Sequence, residues 1–185
     1  MYLFILIILI KSIESNKYVL IRDEELDKYG LSQFSILNFN EKTNLYRLKM
    51  NEYGSLILIS NELNETVGYV DGDWINEQIL NVSFDIYHLN NNQWTNGTIE
   101  KIFHLFVQKY FIKWNKNIFL MKKKLFSINN SIYDQNNIKL GEYRKRFRWF
   151  NWSFIKYDLN IFSHHLPDFI YFFLIIIEDH RNIIL

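Results

Sequence analysis

Cysteine is absent from this chain of 185 residues, which removes disulfides, thiolate catalysis and cysteine-based zinc sites together. Proline occurs once and glycine six times, so collagen-like repeats and Pro/Gly-rich disorder are excluded. An excess of one charge is missing too. With 21 Lys and Arg against 20 Asp and Glu the net charge is +1, and no global field steers the chain to nucleic acid or to a membrane. The two apolar runs, Tyr2 to Ile10 and Phe169 to Ile177, have nine residues each, well short of the roughly 20 that span a bilayer.

What the chain does have is aromatic side chains: 16 Phe, 12 Tyr and 5 Trp, which suit pleated sheet and a large apolar interior. Its 22 Asn read as compositional bias, and patches such as Asn90-Asn91-Asn92 read as loops. Apolar and polar residues alternate at period two between clusters of Asn, Asp, Gly and Glu. That pattern predicts strands over Lys17–Ile21, Phe34–Phe39, Leu45–Met50, Ser55–Ser60, Thr66–Val70, Val82–Leu89 and Thr98–Ile102. It predicts further strands over Lys109–Trp114, Ile118–Met121, Leu125–Ile128, Lys139–Arg144 and Phe154–Ile161, and a short helix over Asp23–Tyr29. Short, even spacing without intervening helices means an antiparallel meander, and no linker divides residues 16–185.

About twelve antiparallel strands are most stable closed, since closure removes edges, but the lumen is then too wide for the strands' own side chains to fill. The filler is at hand. Pro167-Asp168 opens a helix that is apolar on every side, and such a helix must be wrapped by protein or lipid. The expected fold is therefore all-β with one buried helix: a closed antiparallel β-barrel around a hydrophobic C-terminal helix. Phe169, Ile170, Phe172, Phe173, Leu174, Ile176 and Ile177 form its core.

The first run, followed by Lys11 and Ser12-Ile13-Glu14-Ser15, has the length of a secretory h-region with a small residue at a cleavage point, so residues 1–15 read as a signal peptide. Asn64, Asn81, Asn96, Asn129 and Asn151 each begin an Asn-x-Ser/Thr sequon, where chance pairing of 22 Asn with 15 Ser and Thr gives about two. Secretion as a glycoprotein is the expectation, with a cytoplasmic chain as the alternative.

Leu140-Gly141-Glu142-Tyr143-Arg144-Lys145-Arg146-Phe147-Arg148-Trp149-Phe150-Asn151-Trp152, then Tyr157-Asp158-Leu159-Asn160-Ile161, resembles the late strands of the tubby C-terminal-like superfamily, closest to its LURP-one-related and phospholipid-scramblase members. Pro167-Asp168-Phe169 and Ile177-Glu178-Asp179 resemble the acidic entry and exit of that family's core helix. Ser55 to Val70 and Ser83-Phe84-Asp85-Ile86-Tyr87 are weaker echoes upstream. The resemblance implies a plugged barrel acting as a non-enzymatic binding or scaffold module. Its relatives' affinity for phosphoinositides makes Lys122, Lys123, Lys124, Arg144, Lys145, Arg146 and Arg148 candidates for phospholipid headgroups. The competing expectation is that alternate members of these runs simply face water. The partner is then an anionic phospholipid or a protein.

No cofactor, metal or catalytic set is expected. His164 and His165 are adjacent and diverge on an extended segment, Glu178 and Asp179 do not converge on one helix, and no serine has a histidine in a known motif. Lys and Arg with interleaved aromatics argue weakly for nucleic acid, and the near-neutral charge argues against it. A secreted lipocalin-like carrier of a small apolar ligand is the alternative, and it needs an open lumen instead of a plugged one.

Overall fold

Period-two alternation builds the wall. The structure, a computed structural model, describes residues 15–26, 32–50, 55–72, 81–102, 107–124, 127–146 and 155–179. The strands are β1 (Asn16–Leu26), β2 (Ser32–Asn38), β3 (Asn44–Met50), β4 (Leu56–Ser60), β5 (Glu65–Gly72) and β6 (Asn81–His88). Then follow β7 (Gln93–Ile102), β8 (Val107–Trp114), β9 (Asn117–Lys124), β10 (Asn129–Tyr133), β11 (Lys139–Lys145), β12 (Lys156–Ile161) and the helix α1 (Asp168–Asp179). Each strand pairs antiparallel with its sequence neighbours, and β12 pairs back onto β1 with Asn16 opposite Ile161, closing the barrel. Val82, Phe84 and Ile86 of β6 and Tyr157, Leu159 and Ile161 of β12 are typical of the inward rows.

Helix α1 fills the lumen. Ile170 to Asp179 are all buried, and the expected core residues among them pack in one cluster with the inward strand rows. Twelve residues give a rod about 18 Å long, enough to run from one rim to the other. Two strands make room with glycine, because a Cβ on Gly68 would lie 2.9 Å from Phe173 Cζ and one on Gly141 would lie 2.7 Å from Tyr171 Cε1. Phe172 meets the edge of Tyr18 with centroids 5.1 Å apart.

The rim where α1 begins is made of tight turns, and asparagine has a job there. Glu41, Asn64, Asn92, Asn115, Lys116 and Asn137 all have positive φ, at least one in each of the five hairpin turns on this rim. Asparagine tolerates this left-handed region better than most residues. The two-residue turn Asn115-Lys116 has φ of 46° and 63°, as a turn matching the twist of a β-hairpin requires.

Two expectations are corrected. The helix expected over Asp23–Tyr29 is strand as far as Leu26, and residues 27–29 lie outside the described residues. A register shift between Arg22 and Leu26 carries β1 on along β2, and this pairing overrides the local helical composition. The strand expected over Leu125–Ile128 is found instead at Asn129–Tyr133; Ser127 and Ile128 are not strand, and residues 125–126 are not described. Asn130 masks the alternation because it is polar yet faces inward. The segment read as a signal peptide lies outside the described residues as far as residue 14. Among the described residues, no helix is long and apolar enough to cross a membrane.

Candidate functional site

Ending a helix on two acids is unfavourable, because the helix C-terminus already carries partial negative charge. Helix α1 does so with Glu178 and Asp179, which are 5% and 1% exposed, and it has no basic residue in its last turn. The barrel wall supplies what the helix lacks. Lys123 of β9 donates to Glu178 Oε1, while Asn130 Nδ2 of β10 and the Tyr143 hydroxyl of β11 donate to Oε2 at 3.0 and 2.6 Å. Tyr157 of β12 donates to Asp179 Oδ1, and Arg22 of β1 donates to Oδ2 at 3.1 Å. Adjacent helical positions diverge, so Glu178 reaches the arc β9 to β11 and Asp179 the neighbouring arc of β12 and β1. All four carboxylate oxygens are satisfied.

The surrounding tyrosines are held neutral. Burial first, then the nearby carboxylate, pushes the phenols of Tyr143, Tyr157 and Tyr110 up. Lys101, buried on β7 opposite Tyr110, has its ammonium 6.0 Å from that ring. At the other end of α1, Asp168 Oδ2 accepts from Asn16 Nδ2 at 2.9 Å and from the Tyr18 hydroxyl at 2.5 Å. Both ends of the helix are thus tied to β1.

The basic residues singled out from the sequence do not gather in one place. Lys123 faces the lumen and belongs to the Glu178 cluster. Lys122 faces outward, donating to Asn137 Oδ1 at 2.9 Å with its ammonium 4.6 Å from the Tyr133 ring. Arg146 bridges Asp158, through Nη2 at 2.6 Å, and Glu41, through Nη1 at 2.5 Å, while Lys156 also donates to Glu41. Arg144 is exposed and its Nε lies 3.3 Å from Asp158 Oδ2; Lys145 is half-buried at the end of β11. In register, Lys123, Asn130 and Tyr143 share one row across β9, β10 and β11, and Asn129 pairs with Arg144 in the next. The Lys124 side chain and Arg148 lie outside the described residues.

The Glu41 bridge carries the turn 39–43 across the outer face of β1, where Val19 is fully buried. Among the sequon asparagines, Asn64, Asn81, Asn96 and Asn129 are exposed, and Asn151 lies outside the described residues. His164 and His165 diverge: His164 Nδ1 stands 4.0 Å from Asp168 Oδ1, while His165 lines a 260 Å³ cleft with Asn117, Phe119 and Asp134. A second cleft of 280 Å³ opens beside Tyr46, His88, Asp168 and Phe169.

Reading the sequence missed Arg22, Asn130, Tyr157 and Glu41. A signal was present for Arg22, and for the inward placement of Lys123. Lys123 continues the inward row of Phe119 and Met121, and Arg22 continues that of Tyr18 and Leu20. Nothing local marks Glu41, whose partners are more than a hundred positions away. No family model, curated protein or solved structure matches the chain.

Proposed function

We propose that the chain is a non-enzymatic binding or scaffold module of the LURP-one-related, tubby C-terminal-like kind, working through its outer surface within the secretory pathway or outside the cell. The observation that carries this reading is the filled lumen. Helix α1 occupies the space an apolar ligand would need, with Ile170 to Ile177 buried on every side. A carrier of the lipocalin type needs that space open. The outward Lys122 and Arg144 supply polar contacts suited to a protein surface or to anionic headgroups. Lys145 falls in the inward row of Tyr143, whereas Lys123 is engaged by Glu178 in the lumen and Arg146 by Asp158 and Glu41 on the outer face.

Titration with a fluorescent long-chain fatty acid tests the reading. The module gives no saturable uptake and no change in tryptophan emission. Saturable one-to-one uptake that quenches Trp114, which packs against the core, would replace it with the carrier.

A further inference from the structure

The outer face of β7 carries three side chains that the core does not use. Trp94, Asn96 and Thr98 alternate with the inward Thr95, Gly97 and Ile99, so they stand on one side of the sheet. Trp94 is 45% exposed, and the exposed Asn96 amide has no hydrogen-bond partner among the described residues. Residues two apart on a strand are separated by about 7 Å, close to the length of one sugar ring.

Trp94 belongs to a fixed aromatic surface. Its ring centroid lies 5.3 Å from that of Tyr69 and 5.2 Å from that of Tyr87, tilted by 39° and 43°. Asp85 stands in register between Asn96 and Tyr69. On the other side, a cleft of 380 Å³ opens beside Asn96, Thr98, Lys113 and Trp114. The asparagine of a sequon therefore sits between an aromatic floor and an open groove.

We propose that Asn96 is N-glycosylated and that its first N-acetylglucosamine lies against the Trp94 ring, making the glycan a fixed part of the outer wall. This rests on the secretory reading above. In the modification, Asn96 Nδ2 attacks C1 of the first sugar of a lipid-pyrophosphate-linked oligosaccharide. The N–C1 bond forms, the C1–O bond to pyrophosphate breaks, the amide gives up one proton and the lipid pyrophosphate leaves. The apolar C–H face of the sugar then covers the ring, whose face carries the negative part of its quadrupole. Of the other described sequons, Asn64 has Glu62 and Asn129 has Ser127 in the place that Trp94 takes before Asn96, and the residue in that place before Asn81 lies outside the described residues.

The test is secretion of the full chain from a eukaryotic cell, with site occupancy read by mass spectrometry and melting temperature read at three stages. The stages are the intact glycoprotein, the protein trimmed to one N-acetylglucosamine, and the fully deglycosylated protein, each in the wild type and in Trp94→Ala. The expected result is an occupied Asn96, a melting temperature kept after trimming, and a fall of about 2–4 °C on complete removal that is absent in Trp94→Ala. Comparison of wild type with Asn96→Gln gives the same difference should Trp94→Ala fail to fold. An unoccupied Asn96, or a fall that does not depend on Trp94, overturns the proposal alone. Retention of the chain in the cytosol overturns the secretory reading and the proposal with it.

Discussion

Four carboxylate oxygens decide how a helix can end on acids inside a barrel. Glu178 and Asp179 stand against the helix dipole, and only direct donors from β1 and β9 to β12 make their burial tolerable. Removing one partner of such a pair leaves the others uncompensated. Glu178→Ala is expected to cost about 3–5 kcal/mol in chemical denaturation, and a loss below about 1 kcal/mol would mean that the cluster is decorative. Gly141 belongs to the same scale. A methyl there would meet Tyr171 Cε1 at 2.7 Å and the Asn160 carbonyl oxygen at 3.0 Å, so Gly141→Ala should lose about 1–3 kcal/mol by overpacking. An unchanged denaturation midpoint would show that the ring has room to withdraw.

At the scale of elements, α1 and the twelve strands depend on each other, since among the described residues the wall has no other filler and the helix no polar face. Each apolar side chain buried from α1 is worth about 1.5–3 kcal/mol, so the plug outweighs the net stability of an ordinary domain. Phe173→Asp would put an unpaired charge against Gly68 and Phe84 and should prevent folding. A soluble Phe173→Asp variant with a cooperative melt would contradict the plugged barrel. These elements were legible because alternation and an all-round apolar run are strong signals: the helix expected over Phe169–Ile177 is found one residue longer at its start and two at its end. β10 was not, because its inward Asn130 breaks the apolar pattern and is explained only by a helix 48 positions away. The inward role of Lys123 was hidden in the same way, by two lysine neighbours that mask its row. Where a residue's partner is distant in sequence, alternation marks which face it takes and leaves its purpose unread.

For the whole molecule, titration sets the limits of the fold. Burial raises the phenols of Tyr18, Tyr46, Tyr110, Tyr143, Tyr157 and Tyr171. A phenol raised in the folded state keeps its proton there, while the unfolded chain releases it near pH 10; stability is whole below about pH 10 and falls as pH rises beyond it. In an alkaline titration these six should ionise together with unfolding, and ionisation of all of them near pH 10 in a folded chain would refute their burial. Glu41 works in the other direction. Hydrogen bonds from Lys156 and Arg146 lower its pKa, so its contribution is present above the ordinary carboxylate range and is lost as pH falls through the folded value. The strap over Val19 thus loosens in acid. All of this presumes that the helix stays in the lumen, which makes native-state hydrogen exchange of α1 the measurement to choose. The account predicts that amides from Tyr171 to Ile177 exchange only by global unfolding, at the same free energy and denaturant dependence as Leu58, Ile112 and Leu159. Exchange of α1 through a smaller opening of its own, with the strands still protected, would contradict a permanent plug and leave the lumen available to a ligand.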